Sequence, residues 1–306
     1  MIHMRPTLLL ALALVAPAAA MEPAMEQWVS DDSDGATQYR VTADGSTAIG
    51  DGDTAVNGGL GYWHLHEPGD STAFGLARVG VEHRPDTATR LRARATQLSG
   101  SRWSPLLGEA LLTHDFRAPL YLELSASRGI IDTLAAIDRR WDLRSTGVSL
   151  DLGPWRGITL VGGYTRQWLG DDNRRGIAVG RLLIEPTADQ RWLVELRSRL
   201  LRSDFDAAGY FSPRRMDEHL LLGTYRRPVL GDRWYVSIEL GGGTQRVNRG
   251  EQKALYHAEL VWRGWFNDHV GLESRAACMN SGGLDAGPAG DGYRYCQGTV
   301  TLKGSW

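Results

Sequence analysis

Long hydrophobic runs are missing from most of this sequence. Beyond residue 20, no apolar stretch approaches the roughly 20 residues that a membrane-spanning helix requires, so a helical membrane protein is excluded. The mean hydropathy of −0.30 does not exclude a β-barrel, because barrel strands carry a polar residue at every second position.

A large net charge of either sign is also missing. The formal net charge of −2 gives no indication of a nucleic-acid partner.

Catalytic motifs are also missing. The sequence contains no GxSxG, HExxH or phosphate-loop pattern. His64 and His66 share one strand face, but no Cys or carboxylate completes a metal site with them. We therefore predict no metal, no cofactor and no enzymatic activity. A hydrolase of lipid or peptide with its site at the rim of a barrel stays as an alternative, and Ser212 and His219 are the residues with which to test it.

The first twenty residues have the three parts of a secretory signal peptide. Arg5 supplies the positive charge, residues 8–15 form a short apolar segment, and residues 18–20 are all alanine, as a cleavage site requires. We predict a signal peptide over 1–20 and one mature domain over 21–306. No cysteine follows the cleavage site, so we expect no lipoprotein anchor.

Cysteine is scarce, with Cys278 and Cys296 as its only two occurrences. An exported chain reaches an oxidising compartment, so we predict a disulfide between them, with two free thiols as the alternative. The bridge would close a loop of about 18 residues and stabilise the fold by roughly 3 kcal/mol in the chain-entropy model.

Alternating polarity dominates the mature chain. Fifteen segments of about ten to fifteen residues between residues 36 and 306 alternate in polarity and are separated by Gly, Asp, Asn or Pro. A sixteenth segment at 25–32 makes the number even, as in bacterial single-chain barrels, whereas removal of one weak segment would give fourteen. The pattern predicts an all-β, transmembrane, antiparallel up-and-down β-barrel of about 16 strands. The only helical candidate is residues 130–137.

The final strand ends on an aromatic residue, as closing strands of outer-membrane barrels do. Val300, Leu302 and Trp306 alternate with polar residues such as Thr301 and Lys303. The usual assembly signal has Gly at the position of Thr301 and a large apolar residue at the position of Gly304, so the match is imperfect.

The connections between the predicted strands differ in length on the two sides. The three long connections, 127–140, 205–216 and 279–291, all fall on the same side, and every connection on the other side is short. Outer-membrane barrels have short periplasmic turns and longer outer loops. The sequence therefore predicts an outer-membrane location, with membrane lipid and the barrel-assembly machinery as partners.

One face of the predicted strands carries the charged residues. A charge on the lipid face costs about 2–4 kcal/mol at mid-bilayer, so this face must line the lumen. The predicted lumen residues are Arg92, Arg94, Glu195, Arg197, Arg199, Tyr235, Glu239, His257, Glu259, Arg263 and Lys303. They can form a conduit for a polar solute or a sugar chain, or they can pair with each other and fill the barrel.

The segment FDAAGYFSPRRMDEHLLLGTY, residues 205–225, resembles the barrel domains of exopolysaccharide-secretion porins. These are the C-terminal barrels of poly-N-acetylglucosamine and cellulose exporters and stand-alone barrels of the YaiO type. Residues 131–164 are similar to the same family. The resemblance implies a pore of sixteen or slightly fewer strands that contacts or conducts a polysaccharide. The large exporters carry a periplasmic tetratricopeptide scaffold that is missing here, so a separate scaffold protein is an expected partner.

The loop in this segment holds two aromatic and two basic residues. Tyr210 and Phe211, with Arg214 and Arg215, suit a sugar-contacting or constricting role. The alternative is that the aromatic residues only pack the loop into the barrel mouth. We expect a pore for exopolysaccharide passage, with a general small-solute porin or a structural barrel as the second hypothesis and the rim enzyme as the third.

Overall fold

The structure is a computed structural model that describes residues 21–304 except 51, 118, 188–190, 208, 232 and 282–292. The predicted signal peptide, Trp306 and most of the connection 279–291 lie outside the described residues, so the predictions made for them stay predictions.

Sixteen antiparallel strands form a closed barrel in which each strand pairs with its neighbours in the chain and the first strand pairs with the last. The predicted fold class and strand number are confirmed. The strands are β1 Met21–Asp32, β2 Thr37–Ile49, β3 Thr54–Glu67, β4 Asp70–His83, β5 Thr89–Gly100, β6 Leu106–Asp115, β7 Leu120–Ile130, β8 Asp142–Trp155, β9 Ile158–Leu169, β10 Arg174–Ile184, β11 Trp192–Ser203, β12 Arg215–Val229, β13 Trp234–Val247, β14 Gln252–Trp265, β15 Val270–Met279 and β16 Tyr295–Gly304.

The two-residue period of each strand separates an inner from an outer face. In β11, Leu196 is 49% exposed and belongs to the outer face, while the preceding Glu195 is 2% exposed and belongs to the inner face. Apolar side chains dominate the outer face because it must contact hydrocarbon, and charged side chains collect inside because burying them in lipid costs free energy.

The connections give the barrel two unlike ends. The long connections 131–141, 204–214 and 280–294 lie at one end, which we call the loop end, and the opposite end is the turn end. The loop 131–141 contains α1, Leu134–Asp138, which begins after the capping residue Thr133 and overlaps the predicted helical segment. No helix in the described part of the chain is long and apolar enough to cross a membrane.

Aromatic residues border the apolar band on the outer face. Trp192, Tyr225, Trp234 and Trp262 lie toward the turn end, where Trp192 contacts Tyr225 and Trp234 contacts Trp262. Tyr39, Tyr164 and Trp168 lie toward the loop end. Aromatic rings favour the two interfaces between hydrocarbon and water, so these positions mark the membrane borders of the barrel.

A disulfide joins the last two strands near the loop end. Cys278 and Cys296 are directly paired positions of β15 and β16. Cys296 has the strand parity of Val300 and Leu302, which are exposed on the outer face, so the bridge lies outside the lumen. It closes the base of the connection 280–294.

Replacing both cysteines by serine should lower the free energy of unfolding by about 3 kcal/mol, because the bridge restricts the unfolded chain over the loop that it closes. Urea unfolding, followed by the gel mobility of unheated samples, measures the change. Wild-type protein treated with a reductant should lose the same stability. If neither sample differs from the oxidised protein, the bridge does not stabilise the barrel.

Candidate functional site

The loop 131–141 folds into the mouth of the barrel instead of extending away from it. Leu134 and Ile137 of α1 are buried against the inner wall at the loop end of β3, β4 and β5. Their wall partners are Trp63, Leu65, Phe74 and Leu98, all on inner-face positions. The inner wall is apolar at this end, whereas the lumen below it is polar. An apolar wall allows the inserted loop to bury its own apolar side chains.

Polar contacts fix the same loop to the wall. The backbone N–H of Leu134 donates to Glu67 Oε1 at 2.9 Å, and Gln38 Nε2 donates to Asp132 Oδ2 at 2.8 Å. Arg102, in the connection between β5 and β6, donates to Asp138 at 2.7 Å and also to Asp70. These hydrogen bonds raise the pKa of Arg102 above its ordinary value, so the guanidinium stays charged.

Tyr210 anchors the second inserted loop, 204–214, against the first. Its side chain is 8% exposed and packs with Ile131 and Ala136 of the first loop and with Leu169 of β9. Its hydroxyl donates to Asp171 Oδ1 at 2.8 Å. Burial is the main cause that raises the pKa of Tyr210, so the phenol stays protonated and keeps this donor.

A buried amide holds the rest of the second loop. Asn173 is 0% exposed, and its Nδ2 donates to the carbonyl oxygen of Phe205 at 3.1 Å and to Ser212 Oγ at 3.2 Å. Arg175 donates to the carbonyl oxygen of Phe211 at 3.0 Å. These bonds join both halves of the loop to residues 173–175 at the start of β10, so the loop has one defined position in the mouth.

The two loops are joined directly. Thr133 Oγ1 donates to the carbonyl oxygen of Gly209 at 2.7 Å. Phe211 packs beside the apolar cluster of Ile177, Leu201 and Met216 on the wall opposite α1. Together the loops span the loop end of the barrel from β3 to β12 and restrict it.

A cavity of about 330 Å³ remains between the loops and the wall formed by β16, β1, β2 and β3. Three acidic side chains, Asp32, Glu67 and Asp132, line it together with two aromatic ones, Phe211 and Tyr295. Its other lining residues are Ser30, Ala36, Gln38, Leu65 and Thr133. The cavity offers hydrogen-bond acceptors and apolar ring surfaces side by side.

Below the mouth, paired charges line the inner wall. Glu195 receives hydrogen bonds from Arg181 at 2.8 Å and from Arg197 at 2.6 Å. Arg199 is paired with Glu218 at 2.7 Å. The carboxylates lie closest to the wall and the guanidinium groups are more exposed to the lumen, which keeps the arginines accessible to a solute.

The other predicted lumen residues also lie on the inner face, mostly in pairs. Glu239 accepts from Thr224 at 2.9 Å and contacts His257 at 3.2 Å, while Arg263 lies over the ring of Tyr235 at 5.1 Å. Arg94 pairs with Glu109 at 3.4 Å, Glu259 with Arg275 at 3.8 Å, and Lys303 with Glu273 at 2.8 Å. Arg92 shares the inner face of β5 with Arg94.

The structure separates the four loop residues that the sequence grouped. Tyr210 is buried in loop packing and Phe211 lines the cavity, whereas Arg214 is exposed and lies 3.7 Å from Asp206. Arg215 is the first residue of β12, and its side chain points outward to Asp217. Only the two aromatic residues therefore belong to the mouth.

Several residues of the mouth were not identified from the sequence. Gln38, Asp132, Asn173 and Arg175 lie at strand or loop ends, where polar residues are ordinary, and no pattern distinguishes the ones that tie the loops. The sequence held two signals for inserted elements: the helical candidate 130–137 and the aromatic pair Tyr210 and Phe211, for which packing of the loop into the barrel mouth was the alternative interpretation.

The residues considered for catalysis do not come together. Ser212 is 3% exposed in the second loop, whereas His219 lies on the outer face of β12, where its Nδ1 is 2.9 Å from Ser198 Oγ. His64 and His66 also face outward. Within the described residues, no three His, Cys, Asp or Glu side chains are grouped so as to hold a metal ion.

Known structures of similar fold are bacterial outer-membrane barrels. A structure described as a bacterial polysaccharide outer membrane secretin matches with a TM-score of 0.77 at 11% identity, over 94% of this chain and 98% of that chain. The outer membrane protein opdK from Pseudomonas aeruginosa matches with a TM-score of 0.51 at 9% identity, over 94% and 99%. No protein-family model and no curated protein sequence matches the chain.

These matches have low sequence identity, so they establish the fold alone. They agree with the closed barrel of sixteen strands, and the resemblance drawn from residues 205–225 is confirmed at the level of the barrel. The chain has the fold of bacterial outer-membrane β-barrels, in which the short turns lie in the periplasm and the longer loops face outward.

Glu195→Gln should lower the free energy of unfolding by about 1–3 kcal/mol, because a neutral amide would face both Arg181 and Arg197 from a buried position. Glu109→Gln is the matched control. Its side chain is 50% exposed, so a loss within about 0–1 kcal/mol is expected. Urea unfolding followed by tryptophan fluorescence measures both. An equal loss in the two variants would contradict a special role for the buried carboxylate.

Proposed function

We propose that the protein is an outer-membrane pore for hydrophilic solutes and that its solutes are polysaccharide chains or their fragments. The observation that carries the proposal is the mouth. Two loops are fixed inside a wide barrel by specific contacts and leave a cavity with polar and aromatic walls. A barrel that served only as a structural element would have no need of such a restriction.

The charge arrangement of the wall suits a solute without strong net charge. Pairs such as Arg199 with Glu218 and Lys303 with Glu273 neutralise each other over short distances. The lumen therefore offers many hydrogen bonds but only a weak long-range electric field of one sign. Sugar hydroxyl groups both donate and accept hydrogen bonds, and they can exchange partners along such a wall without a large electrostatic barrier.

The cavity in the mouth has the features of a sugar subsite. Phe211 and Tyr295 provide ring surface for the apolar face of a sugar, while Asp32, Glu67 and Asp132 accept bonds from its hydroxyl groups. The fold match to a protein described as a polysaccharide outer membrane secretin supports the same class of solute.

The proposal includes no catalytic step. It does include two partners that the sequence led us to expect: the machinery that inserts barrels into the membrane and a separate periplasmic protein that delivers the polysaccharide. Such a scaffold would contact the turn end, which carries the short connections.

A general small-solute porin is the second candidate. The restricted mouth favours it, since a cavity of about 330 Å³ accommodates a small molecule more readily than a moving chain. The two candidates differ in whether the pore binds an oligosaccharide or passes small solutes without binding one.

Planar-bilayer recordings test the pore. Wild-type protein should conduct ions, and Tyr210→Ala should conduct more, because losing the ring releases the contact between the two loops. Tyr210→Phe is the control, because it keeps the packing and loses only the hydroxyl contacts with Asp171 and Asn173. Its conductance should be closer to that of the wild type.

Oligosaccharides then separate the candidates. Cello-oligosaccharides and N-acetylglucosamine oligomers should block the current reversibly, and the block should weaken in a variant with Phe211→Ala. Conductance without any block would favour the small-solute porin. Absence of conductance in both the wild type and Tyr210→Ala would contradict the pore itself.

A further inference from the structure

Arginines form a row on the outer face at the loop end, separate from the lumen. Each strand from β7 to β13 contributes one. Strands β7 to β10 carry Arg128, Arg144, Arg166 and Arg174, and β11 to β13 carry Arg202, Arg215 and Arg246. Their strand parity is that of outer-face residues such as Leu124, Val148 and Leu200, which are exposed. We call this row the arginine crescent.

The strand register makes the crescent continuous. Arg128 is directly paired with Arg144, and Arg202 is directly paired with Arg215. Between these pairs, Arg144 and Arg174 are both opposite Trp168 of β9. Arg166 and Arg202 are both opposite Gly176 of β10. The side chains therefore follow one level around nearly half of the barrel.

The crescent is confined to one side. Among the strand residues that the structure describes, the outer faces of β14 to β16 and of β1 to β6 carry no lysine and no arginine. Toward the turn end, Arg227 is the only outward arginine on a described strand residue. A general need for charged residues at a membrane border would place them around the whole circumference and at both borders, so the one-sided row requires another explanation.

Carboxylates neutralise only part of this row. Asp142 pairs with Arg128 at 2.9 Å and with Arg144 at 3.2 Å, and Asp217 pairs with Arg215 at 2.7 Å. For Arg166, Arg174, Arg202 and Arg246, no described residue forms an ion pair with the guanidinium group. Like charges that face each other across strands destabilise a sheet, unless an anion lies between them.

We propose that the arginine crescent binds the phosphate groups of lipids in the outer leaflet around the loop end of the barrel. The guanidinium group binds phosphate through two parallel hydrogen bonds, and several arginines at headgroup level can share one phosphorylated lipid. Their apolar stems lie along the hydrocarbon border, while the charged ends reach the headgroups. Each basic residue near an anionic membrane surface adds to the attraction.

The position of the crescent agrees with this partner. It lies just beyond the outward apolar residues, on the level of Trp168 and Tyr164, which mark the membrane border at the loop end. Four of its arginines lie on the strands that carry the two inserted loops, which are β7, β8, β11 and β12. Bound lipids would therefore hold the part of the wall from which the mouth is built.

Lipid titration of the purified full-length protein tests the proposal. The probe is lipid A with two phosphate groups, added to the protein in a non-ionic detergent, and phosphatidylcholine is the lipid without net charge. The test variant replaces Arg166, Arg174 and Arg202 by glutamine. The matched control replaces Arg117, Arg156 and Arg227 by glutamine, which removes the same charge from exposed positions at the turn end.

We expect the crescent variant to bind diphosphorylated lipid A more weakly by on the order of tenfold or more, and the control to bind as the wild type does. Inorganic phosphate at equal concentration should not displace the lipid. Equal losses in both variants, or an unchanged crescent variant, would overturn the proposal. Displacement by inorganic phosphate would show an anion site and would also overturn the assignment to lipid. Heat-modifiable migration and conductance verify that each variant is folded.

Discussion

Backbone hydrogen bonding is the constraint on which this structure depends. Inside a membrane no water can satisfy an unpaired N–H or C=O group, so a sheet must close on itself. The pairing of β1 with β16, from Ala24 opposite Lys303 to Asp32 opposite Tyr295, completes this closure. Once the sheet is closed, the two-residue period assigns every side chain to lipid or to the lumen, and all other features follow from that division.

The inner face shows how a chain with many charges can line a membrane barrel. Carboxylates such as Glu195 and Glu218 are held by arginines from the same or a neighbouring strand, so little charge is left uncompensated at mid-height. Near the loop end the inner wall becomes apolar around Trp63 and Phe74, and there α1 inserts. The change from a charged to an apolar lining along a single strand therefore separates the charged part of the lumen from the mouth.

Much of the fold was predictable from the sequence, because the alternation of polarity and the lengths of connections are local properties. The same parity placed Glu195, Arg197 and Arg199 on the inner face. Positions at the ends of strands were not predictable, because a shift of one residue moves a side chain to the opposite face. Arg214 and Arg215 adjoin in sequence, yet one lies in an exposed loop and the other faces the membrane. The role of Asn173 was equally hidden, since it depends on contacts across 32 to 39 residues of chain.

Adjacent cysteine substitutions in β13 test most directly whether the charged face of the strands borders a water-filled lumen. Ser237 lies on the inner face, and Ile238 lies on the outer face, 42% exposed toward lipid. A charged, membrane-impermeant thiol reagent should modify Ser237→Cys and reduce the conductance of the reconstituted protein, while Ile238→Cys should stay unmodified. Modification of Ile238→Cys with protection of Ser237→Cys would contradict the account.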